Sequence, residues 1–213
     1  MSDVSCRGAT ANDMIVGQVV EASDGTKTRL APQIDALNSS TDVVLVSAGG
    51  NDLGFAAILF KCLALAAQGP VPSGSATCSQ DFVKDGSDQL ASQLTETVKP
   101  ALDALYEQIS ERAPHAKKFA FTYPHLLPDP ATTPKEGCFR FTTKDGSVVV
   151  PFTDVDVAYL HQIQEQLNAL IRDESVKYGF TVADASARSE ARTACSIAAT
   201  LGERIRRSGR DRP

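Results

Sequence analysis

The sequence predicts an α/β protein, a three-layer α/β/α sandwich around a mainly parallel sheet. Three observations point there. Short β-branched runs alternate with longer amphipathic segments in the order β-α-β-α-β-α-β, the order that right-handed crossovers turn into parallel strands. The two longest segments repeat apolar residues at three- and four-residue spacing, as helices covering one face of a sheet do. At 213 residues the chain suits one domain with one core.

The elements follow in order. Asp3 to Cys6 reads as the end of a strand, and Arg7-Gly8-Ala9-Thr10 as the turn after it. Thr10 or Asn12 is placed to N-cap a short helix through Met14. Asp24-Gly25 is a turn signal that joins two short extended segments between Glu21 and Arg29. Pro32 to Leu37 makes a helical turn or two. Asp42-Val43-Val44-Leu45-Val46 is short, β-branched and bounded by turn residues, the mark of a buried parallel strand. Phe55, Ile58, Leu59, Cys62 and Leu63 then fall at helical spacing, on a helix that stops before Gly69-Pro70.

A loop rich in Gly, Pro and Ser reaches Cys78. Leu90, Leu94, Val98, Leu102, Leu105 and Ile109 line one face of a long helix ending near Ala113-Pro114, and Pro100 inside it should kink the helix or remove one hydrogen bond. Lys118 to Tyr123 is the next strand and runs into Pro124-His125. Leu126 to Pro151 is a long loop with a small hairpin at Lys144-Asp145-Gly146, and Pro128, Pro130, Pro134 and Pro151 break it up. Loops beyond about 12–15 residues are often lids or binding loops. Val157, Leu160, Ile163, Leu167, Leu170 and Ile171 mark a helix from Asp154 to Tyr178, stopped by Gly179 at C′, and Phe180 to Asp184 is the last strand.

Ser47-Ala48-Gly49-Gly50-Asn51-Asp52-Leu53-Gly54-Phe55 is the stretch where chemistry is expected. It is a strand-to-helix turn at the carboxyl end of a strand, where open α/β sheets build their sites. Asn51 can project an amide N–H toward charge developing on an oxyanion. On these residues alone the loop is either such a turn or an ordinary glycine-rich connection in which Asn51-Asp52 caps the helix.

The wider pattern resembles a known family. Gly49-Gly50-Asn51-Asp52 after an apolar strand resembles the third sequence block of the SGNH (GDSL-type) hydrolases, and Asp3-Val4-Ser5-Cys6-Arg7-Gly8-Ala9-Thr10 is similar to the second block in their secreted bacterial lipase and esterase branch. The resemblance runs from about Val4 to Cys195. It implies a flavodoxin-like sandwich and an ester hydrolase in which a Ser attacks, a His carries the proton, and the Gly8 N–H and Asn51 amide hold the oxyanion. It implies no metal or organic cofactor, and an ester substrate, small or lipid.

Two blocks of that family are missing from the pattern. No Gly-Asp-Ser segment precedes Cys6, and none of His115, His125 and His161 has an Asp three residues before it. The chain is therefore expected to be incomplete at both ends, holding the oxyanion donors and neither nucleophile nor base. The alternative is an inactive fragment or pseudoenzyme that binds acyl or glycan ligands. His125 follows a strand as a base would, but matches no motif spacing. Ser5 and Ser47 lack an identifiable base, and a serine is a weak nucleophile until one takes its proton.

Five cysteines, Cys6, Cys62, Cys78, Cys138 and Cys195, are scattered without zinc-type spacing. They read as structural disulfides in an oxidising compartment, or as reduced buried thiols. The resemblance implies Cys62 with Cys78 and Cys138 with Cys195, leaving Cys6 for a cysteine outside this sequence.

Charge and composition bound the partners. A net charge of −5 gives no reason to expect nucleic acid or an anionic membrane. No run approaches the roughly 18 apolar residues of a membrane span, and Met1-Ser2-Asp3 does not begin a signal peptide. Glu203 to Pro213 holds five arginines against Glu203 and Asp211, a local +3 that leaves −8 on the remainder. Residues 196–213 are expected to be a solvated tail after a hydrolase-like domain over 1–195. The parent protein is expected to be secreted and monomeric.

Overall fold

The computed structural model describes residues 1–62, 77–132, 141–142, 148–149, 154–189 and 192–193. The residues expected to form the Cys138–Cys195 pair and the basic tail lie outside them. Met1 to Cys6 forms no ladder, where the sequence reading expects a strand end. A strand needs a neighbour, and this segment has none among the described residues.

Thr10 then caps helix α1, Ala11–Val16. Its hydroxyl accepts the Asp13 N–H while the Asp13 carboxylate takes the Thr10 N–H at 2.9 Å, a reciprocal capping box. Strands β1 (Val19–Glu21) and β2 (Lys27–Arg29) pair antiparallel about Asp24-Gly25, as its turn signal predicts. A 3₁₀ turn, Gln33–Ala36, leads into β3, Val43–Val46. Helix α2 spans Phe55–Cys62 and α3 Ser79–Phe82. The hairpin of β4 (Val83–Lys84) and β5 (Ser87–Asp88) turns through Asp85 and Gly86, both at positive φ. The Asp-Gly pair is its signal, overlooked because so short a hairpin carries no apolar alternation.

The long helix predicted through Ile109 comes in three pieces. Helix α4 (Gln89–Gln93) passes through one wider π turn, Leu94–Val98, into α5, Lys99–Arg112. Pro100 stands in the first turn of α5, where its missing N–H costs least. The kink or lost hydrogen bond expected of Pro100 is met by a π turn just before it. Strand β6 is Lys117–Phe121; β7 (Phe141–Thr142) and β8 (Val148–Val149) form the predicted loop hairpin, whose turn lies outside the described residues. Helix α6, Asp154–Lys177, ends as its Gly179 predicts. The Phe180 N–H reaches back to Ser175 C=O at 3.2 Å and the Gly179 N–H to Val176 C=O at 3.1 Å, a Schellman closure. Strand β9, Thr181–Ala183, and the single turn α7, Ser186–Ser189, follow.

These elements form two compact units. The first comprises Met1–Ala56, Leu90–Tyr123 and Gln166–Asp184. Its sheet is parallel, ordered β3-β6-β9, with Val44 opposite Lys118 and Ala120 opposite Val182. Its core is Val98, Leu102, Leu105, Ile109, Ala120, Leu167 and Ile171, with the Tyr106 and Phe180 rings 4.8 Å apart. Strand β3 is the sheet edge. Val44 is buried, but Val43 and Leu45 are 52% and 65% exposed.

The second unit comprises Ala57–Gln89, Pro124–Glu165 and Ala185–Pro213. A disulfide joins Cys62 to Cys78. The buried Asp156 carboxylate caps α3, accepting from Cys78 N–H at 3.2 Å and Ser79 N–H at 3.0 Å. Tyr159 donates to Asp88 at 2.9 Å, and Lys61 sits over the Phe82 ring. No described helix is long and apolar enough to cross a membrane.

Candidate active site

The turn after β3 is held rigidly by its own backbone. The Leu53 N–H bonds to Gly49 C=O, Gly54 N–H to Asn51 C=O and Phe55 N–H to Gly50 C=O, each at 3.0 Å. These bonds leave Asn51 at the exposed tip. Its Nδ2 donates to the Ala9 carbonyl at 2.8 Å. An amide NH₂ carries two donors, so one hydrogen remains for a ligand. The Ala9 contact lies one residue past Gly8, which takes φ +78° in an exposed turn. The structure thus brings the Gly8 turn and the Asn51 loop together, though they stand more than forty residues apart.

A second bond locks the two loops. Both Asp52 oxygens accept the Ala11 N–H, at 3.0 and 3.1 Å, in the first turn of α1. Asp52 therefore caps α1 rather than the helix that follows it. Burial raises its pKa above the ordinary carboxylate value, partly offset by the N–H groups of Ala11 and Gly49. Behind the loop, Gln93 Nε2 donates to the carbonyls of Asp52 and Leu53 at 3.1 and 3.2 Å.

Asn51, Cys6, Ala9 and Ser47 line one end of a groove of about 580 Å³, which runs along β3 past Val43 and Leu45 to Met1. A second groove of about 490 Å³ continues along the same strand, floored by Leu105 and Ile109. Cys6, half-exposed in the first groove, has no disulfide partner among the described residues. Ser5 is exposed, and the described residues place no histidine around this groove.

His125 belongs to the second unit. Its ring is buried, with Nε2 on the Glu165 carboxylate and Nδ1 enclosed without a partner among the described residues. The His161 ring lies 5.0 Å away, its Nδ1 on the Leu127 carbonyl. A base must reach its nucleophile with a free nitrogen. The one that His125 has free is shut in. Among the described residues no group of three His, Cys, Asp or Glu side chains is placed to hold a metal ion.

The sequence reading missed three residues around the Asn51 loop: Gln93, Tyr123 and Asn168. For Gln93 and Asn168 the signal was a polar residue on an apolar helical stripe, whereas Tyr123, just past β6, carried none. Asn168 sits in line with Leu160 and Ile171 on the buried face of α6.

The parallel β3-β6-β9 sheet, with the Asn51 loop at the carboxyl end of β3, defines an α/β protein, and open α/β sheets build their sites at that edge. Residues 2–201 match the GDSL-like lipase/acylhydrolase family, and the chain belongs to it. An esterase of Streptomyces scabiei is 33% identical over 91% of this chain and 57% of its own length. Lipase 2 of Streptomyces coelicolor is 29% identical over 91% of this chain and 61% of its own. The fold matches that of an extracellular lipase from Streptomyces rimosus, with a TM-score of 0.62 at 22% identity over 90% of this chain and 63% of that one. A phospholipase A1 from Streptomyces albidoflavus aligns with a TM-score of 0.63 at 23% identity, covering 91% and 64%. The α/β/α class expected from the sequence is therefore the fold of the solved lipases. The chain spans about three-fifths of the length of these relatives.

Proposed function

We propose that the protein acts as a secreted carboxylic-ester hydrolase, in which these 213 residues supply the oxyanion hole. The observation that carries this reading is the 2.8 Å bond from Asn51 to Ala9, which sets the second Asn51 hydrogen beside the Gly8 turn at the end of the groove. In the reaction a serine oxygen adds to the ester carbonyl and a histidine takes the serine proton. The carbonyl oxygen gains charge, which the Gly8 N–H and Asn51 amide stabilise. The alcohol then leaves with that proton, and water repeats the addition on the acyl-serine. No cofactor enters these steps. The serine and histidine are supplied by a Gly-Asp-Ser segment and an Asp-x-x-His segment not contained in this sequence.

Support for that last step comes from the groove. It follows the edge of β3 that has no partner among the described residues and ends at Asn51, so a strand laid in it parallel to β3 would deliver its carboxyl end to the donors. The test is hydrolysis of p-nitrophenyl acetate and butyrate by this chain beside a longer form of the protein that includes both segments. Turnover by the longer form alone, lost on Asn51→Ala, supports the reading. Turnover by this chain as it stands would place nucleophile and base among residues set aside here, His125 first. If neither form turns over but butyrate binds, the protein is a ligand-binding module.

A further inference from the structure

Asn168 is fully buried on α6, and a buried amide must find partners for both its ends. It finds them on one residue. Asn168 Oδ1 accepts the Tyr123 N–H at 2.8 Å, and its Nδ2 donates to the Tyr123 carbonyl at 3.0 Å. This grip falls just past the end of β6 at Phe121, where the sheet no longer satisfies the backbone. With both peptide groups fixed, the direction of the Tyr123 side chain is fixed too. Its ring lies against Gly50 so closely that a Cβ there would stand 2.9 Å from Cζ. Its hydroxyl oxygen accepts the Gly50 N–H at 3.2 Å. Gly50 is buried, and without that oxygen its N–H would be an orphan donor. The next residue is Asn51.

We propose that Asn168 and Tyr123 form a positioning relay that sets where Asn51 stands over the groove, gripping the Asn51 loop through the Gly50 N–H. The proposal rests on the reading of Gly8 and Asn51 as oxyanion donors. Neither relay residue is a catalytic group; each acts through the loop. Small displacements matter here because a misplacement of about 1 Å in a catalytic array can lower turnover about 10²-fold.

The discriminating variant is Tyr123→Phe, which keeps the ring under Gly50 and removes only the acceptor. In ¹⁵N–¹H spectra of this chain, the Gly50 backbone and Asn51 side-chain amide resonances are expected to move, while those of Gly8 and Ala11 stay. Asn168→Ala should move the same resonances, and Asn168→Asp, which keeps an acceptor for the Tyr123 N–H, should move them less. In a longer form that hydrolyses p-nitrophenyl butyrate, Tyr123→Phe should lower kcat about tenfold at unchanged KM, the pattern of a group felt only in the transition state. Unmoved Gly50 and Asn51 resonances, or an unchanged kcat, overturn the relay. If Asn168→Ala does not fold, Tyr123→Phe decides alone. Moved resonances together with an Asn51→Ala variant that turns over at the parent rate would instead overturn the oxyanion reading.

Discussion

Asp52 carries the clearest consequence at the scale of single residues. Its folded-state pKa is raised, with burial the largest cause. A carboxyl of that kind holds its proton more tightly in the folded protein than in the unfolded chain. Its stabilising contribution is complete below the unfolded value, about 3.9, and is lost as pH rises through the folded one. Asp52→Asn should therefore flatten this part of the stability profile above about pH 4, and leave stability at pH 7 equal or higher. Urea melts across that range check it, and a large loss at pH 7 would show that the charge on the Ala11 N–H outweighs burial. At Gly50 the constraint is steric. Gly50→Ala forces a methyl against the Tyr123 ring and should cost about 1–3 kcal/mol, as overpacking does. Part of that loss should return in Gly50→Ala with Tyr123→Leu, and additive losses would refute the contact.

Among the elements, the Cys62–Cys78 bridge closes a 16-residue separation, and the chain-entropy model gives about 3 kcal/mol for a loop of that order. Replacing both cysteines by alanine should lower unfolding free energy by about that much, and dithiothreitol should do the same to the parent; a null result for both would place the strain of the bridge near its entropic gain. Much of this level was legible beforehand. A cap at Thr10 or Asn12, the Asp-Gly turn of β1–β2 and the Gly179 stop are local signals, readable because the atoms that satisfy each other lie within a few residues. The π turn before Pro100 was not. Proline demands a departure from the α ladder, but whether it comes as a kink, a break or a π turn depends on keeping Leu94, Val98 and Leu102 all in one core.

For the whole molecule, the exposed edge of β3 is the main liability. A strand paired with β6 on one side, with no partner on the other among the described residues and with Val43 and Leu45 in solvent, is a template for association. This sets a condition on the expected monomer. The chain is predicted to self-associate with rising concentration, and Leu45→Lys to reduce that association without changing the circular dichroism spectrum. Light scattering decides it, and a parent that stays monomeric at high concentration would remove the argument. In a longer form with the groove filled, the same substitution should destabilise instead, because the lysine would then be buried.

Glycine and asparagine in the right order after an apolar strand were enough to place the turn, and a cap at Thr10 or Asn12 was enough to start α1. Those features depend on neighbours in the chain, so the sequence by itself determined them. It also determined the family, through two blocks of residues. Only the tertiary structure decided what holds the site in place. Asp52 meets Ala11, Tyr123 meets Gly50 and Asn168 meets Tyr123 across separations of more than forty residues. Such pairs leave no periodic trace in a single chain. They arise when the sheet brings the ends of β3 and β6 side by side and each buried polar group must find the partner that is left to it.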